Sequence, residues 1–144
     1  MLKLLDPLLC PDLLHALASM GHSDEIAVVD ANFPGAACAQ RLLRLEGAGA
    51  AQAVRAILSV MPLDGFGGPP IATMAVEGQP GAVPDAVRDI LAEARESEGR
   101  AVPSEELDRM AFYARARGAF AVVQTGERRL YGNVLLRKGV VGQQ

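Results

Sequence analysis

The stretch Glu25-Ile26-Ala27-Val28-Val29-Asp30 decides the fold of this chain. It contains four apolar residues in succession, without the alternation of a half-exposed strand, and this is typical of a strand covered on both faces. Four further runs of strand character lie at 41–45, 71–76, 119–125 and 132–138, interleaved with helical patterns. The sequence therefore predicts an α/β fold: a single domain, 1–144, in which helices flank a mixed and mostly buried sheet.

Four helices are predicted from apolar residues at positions i, i+3, i+4 and i+7. They cover about 11–20, 50–61, 84–99 and 104–118, and Gly21 and Pro62 end the first two. The last two strands are separated by residues 126–130 only. A connection of this length predicts a hairpin-like pair.

The fourth helix has two distinct faces. Ser104 is a good N-cap residue, so we expect the helix to begin just after it. The predicted core stripe consists of Leu107, Met110, Ala111 and Ala114. The second face carries Arg109 together with Phe112 and Tyr113, two of the six aromatic residues in the chain. We expect that face to meet a pocket or another subunit.

The composition excludes several classes of protein. The chain has 144 residues, of which 50% are hydrophobic, so the body of the protein is not intrinsically disordered. Its core is rich in alanine and poor in aromatic residues, which favours a homo-oligomer. The apolar N-terminal run is broken by Asp6 and Pro7, and no window reaches the 18 apolar residues of a membrane span. We therefore expect a cytoplasmic protein that does not interact with membranes.

The charge is unevenly distributed. The net charge is −3, yet residues 100–144 carry eight basic against four acidic side chains. The basic cluster consists of Arg115, Arg117, Arg128, Arg129, Arg137 and Lys138. Because acidic neighbours dilute it, a solvated face is the first interpretation and a subunit contact the second. No nucleic-acid partner is predicted.

Most familiar catalytic motifs are missing. The two histidines and two cysteines lack the spacing of metal ligands, so no metal site is predicted. Cys10 and Cys38 have no basic neighbour in the sequence and are interpreted as buried fillers. The glycine-rich stretch at 64–70 lacks the Lys-Ser/Thr of a phosphate-binding loop and is expected to be a lid or turn.

Two polar clusters remain as candidates. His22 follows the first helix, and Asp30 lies at the far end of the next strand. An imidazole can give and take a proton near neutral pH, although a histidine at a helix C-terminus can also be idle. His15, within the first helix, is interpreted as structural. Tyr131 and Asn133, expected to point the same way on the last strand, offer hydrogen bonds suited to sugar hydroxyls, unless they are merely an edge-strand pair.

Five blocks of sequence resemble the L-fucose mutarotase family, the sister of the D-ribose pyranases. They are MGHSDEI at 20–26, DANFP at 30–34, RMAFY at 109–113, TGER at 125–128 and YGN at 131–133. The resemblance implies His22 as the proton donor, and it implies substrate-binding residues at Asp30, Arg109, Tyr131, Gly132 and Asn133. It also implies that no metal or organic cofactor is needed and that the chain forms a homo-oligomer with sites near subunit contacts. Several members have a histidine where this chain has Asn32.

The chemistry implied by the resemblance fits these residue types. Converting one anomer of a pyranose into the other requires a proton on the ring oxygen and removal of the anomeric hydroxyl proton. One imidazole with hydrogen-bonding partners can do both. We therefore expect a mutarotase acting on L-fucose or a close pyranose. The alternatives are a pyranase that interconverts the pyranose and furanose rings of ribose, and a non-catalytic sugar-binding module.

Overall fold

The computed structural model describes residues 1–142, so positions 143 and 144 of the predicted domain lie outside it. Six strands form one sheet: β1 (Glu25–Val29), β2 (Leu42–Leu45), β3 (Ile71–Met74), β4 (Ser104–Leu107), β5 (Ala121–Thr125) and β6 (Val134–Arg137). Their order is β2-β5-β1-β6-β3-β4, and β6 runs antiparallel to both of its neighbours. The predicted α/β fold with a mixed sheet is confirmed.

Five helices accompany the sheet: α1 (Pro11–Ser19), α2 (Gly35–Cys38), α3 (Ala50–Leu58), α4 (Asp85–Glu98) and α5 (Arg109–Gly118). Helices α1, α3 and α4 lie on one face of the sheet and share a core with Ile26 and Val28. The other face buries Ala27 and Val29 with aromatic residues of α5 and the β1–α2 turn. Successive residues of β1 therefore enter two different cores, which is why the strand is apolar throughout. Among the described residues, no helix has the length and apolar character needed to cross a membrane.

The start of the fourth predicted helix was wrong. Residues from Ser104 form β4, an edge strand parallel to β3, and α5 begins only at Arg109. The side chain of Asp108, not that of Ser104, caps the helix by accepting a hydrogen bond from the Ala111 amide at 2.8 Å.

The predicted core stripe of this helix was also wrong. Met110 is 61% exposed, whereas Phe112 and Ala116 are fully buried. The face that carries Phe112 packs on the sheet because the bulky ring fills the space beside Ala27 and Val29, which the alanines of the other stripe cannot fill.

The predicted hairpin between the last two strands does not form, because β1 lies between β5 and β6. Residues 126–133, here called the crossover loop, pass over the end of β1 instead. Neighbouring strands are about 4.8 Å apart, so the distance from β5 to β6 across β1 is only about 10 Å. Eight residues easily span this distance. Tyr131 and Asn133 therefore belong to this loop, and β6 begins at Val134.

We expect Gly126→Ala to lower the free energy of unfolding by about 2–4 kcal/mol. A Cβ at Gly126 would lie 2.0 Å from the backbone oxygen of Glu46, which cannot move without displacing β2. Urea unfolding measures this decrease in the free energy of unfolding. Gly47→Ala is the matched control, since nothing lies within 4 Å of a Cβ there. Equal stability of the two variants would contradict this account of the close approach.

Candidate functional site

A cavity of about 210 Å³ opens where the carboxyl end of β1 meets the crossover loop. Ten residues line it: Asp30, Asn32, Phe33, Met74, Glu77, Arg109, Tyr113, Leu130, Tyr131 and Asn133. At about 30 Å³ for each water molecule, this volume corresponds to roughly seven waters, which is on the scale of a monosaccharide. Four of the five residues predicted to bind substrate therefore lie together.

Asp30 and Asn133 form the floor of this cavity. Asn133 Oδ1 accepts a hydrogen bond from the backbone amide of Asp30 at 2.8 Å, which fixes the crossover loop to the end of β1. The Asp30 carboxylate accepts a hydrogen bond from the Asn32 amide at 3.0 Å. Burial raises the pKa of Asp30, and the hydrogen bonds that its carboxylate accepts, the one from the Asn32 amide above all, oppose the rise. The result is a desolvated carboxyl group that can accept a hydrogen bond from a ligand hydroxyl.

The cavity wall is aromatic and polar. Tyr131 has a left-handed backbone, with φ of 61°, and its hydroxyl oxygen accepts a hydrogen bond from the Glu77 amide at 3.3 Å. The phenolic proton can therefore be donated to a ligand. Arg109, in the first turn of α5, contributes an exposed guanidinium. Tyr113 follows one turn later and packs edge-on against Phe33, with 5.3 Å between ring centroids.

Gly132 does not line the cavity, in contrast to its predicted binding role. A Cβ at this position would lie 2.8 Å from Cγ of Glu127 and 3.3 Å from Cβ of Ala86. Glycine is required there because of packing behind the loop. A binding role for its backbone stays a prediction.

His22 lies at the opposite end of β1 from the cavity. Five strand residues span about 16 Å, so His22 cannot reach the Asp30 cavity of its own chain. His22 Nε2 is 3.1 Å from Asp64 Oδ1, and its ring contacts the edge of Phe66 at 5.9 Å between centroids. The imidazole is 46% exposed, so it can meet a second molecule.

Asp64 orients this imidazole, and the sequence analysis did not identify it. Besides His22, it accepts hydrogen bonds from the Phe66 amide at 3.0 Å and from Arg137 Nε at 2.9 Å. These bonds hold the pKa of Asp64 below its ordinary value, the Phe66 amide contributing most. The sequence gives little signal for this pair, because 42 positions separate the two residues.

The turn that carries His22 is tightly anchored. The Gly21 amide donates a hydrogen bond to the Asp24 carboxylate at 2.7 Å, and Ser23 has a left-handed φ of 72°. Lys138 Nζ donates to two carbonyls at the end of α1, those of Leu17 and Met20, at 2.8 and 2.6 Å. The imidazole therefore projects from a fixed backbone.

The predicted basic cluster is dispersed in the structure. Arg115 pairs with Glu25 and Glu105 between α5 and the sheet. Arg129 pairs with Glu127 and Asp89, Arg137 pairs with Asp64, and Lys138 binds the end of α1. Four of the six cations therefore make contacts within the chain and do not form one solvated face.

The fold and sequence are similar to those of known proteins. The model of a family described as the RbsD / FucU transport protein family matches residues 3–141. A crystallised protein provisionally assigned as sugar-binding is 40% identical, with a TM-score of 0.95 over 99% of this chain and 97% of that one. The fucose mutarotase of Streptococcus pneumoniae, solved with L-fucose, is 39% identical, with a TM-score of 0.85 over 98% and 100% of the two chains.

A more distant structure shares the fold alone. RbsD of Bacillus subtilis, solved with D-ribose, is 20% identical, with a TM-score of 0.72 over 99% of this chain and 100% of that one. At this level of identity the similarity carries no information about the ligand.

Proposed function

Because the chain belongs to the RbsD / FucU family of sugar-handling proteins, we propose that it is a mutarotase that interconverts the α and β anomers of L-fucose or a close pyranose. The observation that carries the proposal is the convergence of Asp30, Arg109, Tyr131 and Asn133 on one cavity of monosaccharide size. The similarity to a fucose mutarotase solved with its sugar supports the choice of substrate.

In this proposal, the cavity binds the sugar and the imidazole moves the protons. Arg109 and Asp30 hold ring hydroxyls, as donor and acceptor respectively. Tyr131 and Asn133 bind near the anomeric carbon. In its protonated form, His22 donates a proton to the ring oxygen, and a solvent water accepts the proton of the anomeric hydroxyl. The bond between C1 and the ring oxygen breaks, C1 becomes the carbonyl carbon of the open-chain aldehyde, and ring closure reverses both proton transfers. Rotation about C1 and closure on the other face complete the exchange, with no net change in protons.

In this proposal, His22 acts from a second copy of the chain. Since β1 separates His22 from the Asp30 cavity of the same chain, we propose a homo-oligomer in which His22 of the partner subunit reaches that cavity. The exposed imidazole and the openness of the cavity at Arg109 and Leu130 support this arrangement. A cytoplasmic location belongs to the same proposal, and cell fractionation would test it.

Saturation-transfer NMR on equilibrated L-fucose tests the function. Irradiating one anomeric proton should transfer saturation to the other anomer only when the protein is present. Exchange of ribose between its pyranose and furanose forms, without exchange of fucose, would instead assign a pyranase. No exchange of either sugar by folded protein would leave a sugar-binding module.

We expect Asp64→Asn to slow anomer exchange about tenfold to a hundredfold, with little change in sugar affinity. An amide cannot stabilise the imidazolium as a carboxylate does, and it holds the ring less firmly. Exchange rates and KM from the same NMR experiment measure the two effects. A variant of native stability with an unchanged rate would contradict the orienting role of Asp64.

A further inference from the structure

Glu127 is a buried carboxylate that does not line the cavity. Arg129 donates three hydrogen bonds to it, from its backbone amide and Nε at 3.0 Å and from Nη2 at 3.1 Å. The Ala50 amide, at the first position of α3, donates a fourth at 3.4 Å. Arg129 is the main reason why the pKa of Glu127 falls to about 2. The carboxylate is therefore ionised throughout the neutral range.

Glu127 also holds the crossover loop to the end of β1. Its backbone oxygen accepts a hydrogen bond from the Ala31 amide at 2.8 Å, one residue beyond Asp30. Its Cγ occupies the space beside Gly132. Because Gly132 lies between Tyr131 and Asn133, a shift of the Glu127 side chain would move both of these cavity residues.

A second ion pair connects this anchor to the helical layer. Nη1 of Arg129 donates to Asp89 of α4 at 2.7 Å. Glu127 is thus the buried centre of a network that joins α3, α4 and the crossover loop. Asp89 is 54% exposed, so its pair with Arg129 is the weaker of the two.

We propose that Glu127 is a positioning residue of the sugar site, which acts by fixing Tyr131 and Asn133 opposite Asp30. The inference rests on the proposed function for its effect on sugar, but its effect on the loop can be measured without sugar. Glu127 does not touch the ligand in this account. It controls the distance between hydrogen-bonding groups, and binding is sensitive to such distances.

The test is Glu127→Gln, followed by the KM for L-fucose and by fluorine NMR of protein labelled with 3-fluorotyrosine. The chain has two tyrosines, and both line the cavity, so the spectrum contains two signals that report on the site. Tyr113→Phe assigns them. We expect the Tyr131 signal to shift or broaden without sugar, and KM to rise about tenfold or more. The rise should be the same from pH 5 to pH 8, since Glu127 does not titrate there.

Glu105→Gln is the matched control. Glu105 also bonds an arginine, Arg115, but it lies on β4 away from the crossover loop. This variant should keep both the Tyr131 signal and KM, even if its unfolding temperature falls. If Glu127→Gln does not fold, Arg129→Lys replaces it, because lysine keeps the charge but loses the paired guanidinium bonds.

The outcomes separate the inference from the function. If a folded Glu127→Gln variant kept the wild-type Tyr131 signal and KM, the positioning role would be wrong. It would also be wrong if KM rose equally in Glu105→Gln. Absence of anomer exchange by the wild-type protein would overturn the proposed function. In that case a shifted Tyr131 signal would still support the action of Glu127 on the loop.

Discussion

His22→Ala should lower the rate of anomer exchange by at least about a hundredfold, while L-fucose still binds the cavity. The proposed mechanism assigns proton transfer to His22, whereas the sugar is held by residues at the other end of β1. Loss of the imidazole should therefore affect kcat far more than affinity. Saturation transfer measures the rate, and the fluorotyrosine signals of the cavity measure binding.

His15 provides the control for this experiment. It is the second histidine of the chain and lies exposed on α1. His15→Ala should retain the wild-type rate. If His22→Ala exchanged anomers as fast as His15→Ala, the acid/base role of His22 would be wrong.

Two inactive variants should restore activity to each other when they assemble together. The first is His22→Ala and the second is Arg109→Ala, which keeps the imidazole but impairs the cavity. In a mixed oligomer some cavities are intact and receive an intact His22 from the partner subunit. With equal amounts and random assembly, about a quarter of the sites should be complete.

Co-expression of the two variants with different affinity tags, followed by tandem purification, provides the mixed oligomers. Because tandem purification removes unmixed oligomers, exchange should reach about a half of the wild-type rate for a dimer and about a quarter for a large ring, against a few per cent or less for either variant alone. No recovery in verified mixed oligomers would mean that the two halves of the site do not meet between subunits.

The fold could be predicted from local patterns, but the order of its strands could not. The succession of apolar residues at Ile26 to Val29 is dictated by two cores, so it shows in the sequence. The insertion of β1 between β5 and β6 depends on contacts between distant segments, which periodicity does not encode. Strand β4 was missed because Ser104 followed by two glutamates has the composition of a helix start.

The candidate site was predicted in part. The residues that converge on the cavity come from three blocks, and the family resemblance identified them together. Their separation from His22 could have been inferred from strand length alone, since β1 lies between the two groups. Asp64 could not be found this way, because its bond to His22 forms only in the folded chain. Glu127 lies in the TGER block, but the block alone does not indicate its role in holding the crossover loop. A single acidic residue in a loop gives no signal of such a partner.

Left-handed backbone at non-glycine residues occurs at both halves of the site, at Ser23 beside His22 and at Tyr131 in the cavity. Each such residue costs about 1 kcal/mol or more of conformational energy, which glycine would not incur. A selection for heat resistance would therefore favour glycine at Ser23, which is exposed. The glycine variant would have a higher melting temperature but a more flexible turn at the position that carries the imidazole. A gain in thermal stability at this position would therefore lower the catalytic rate.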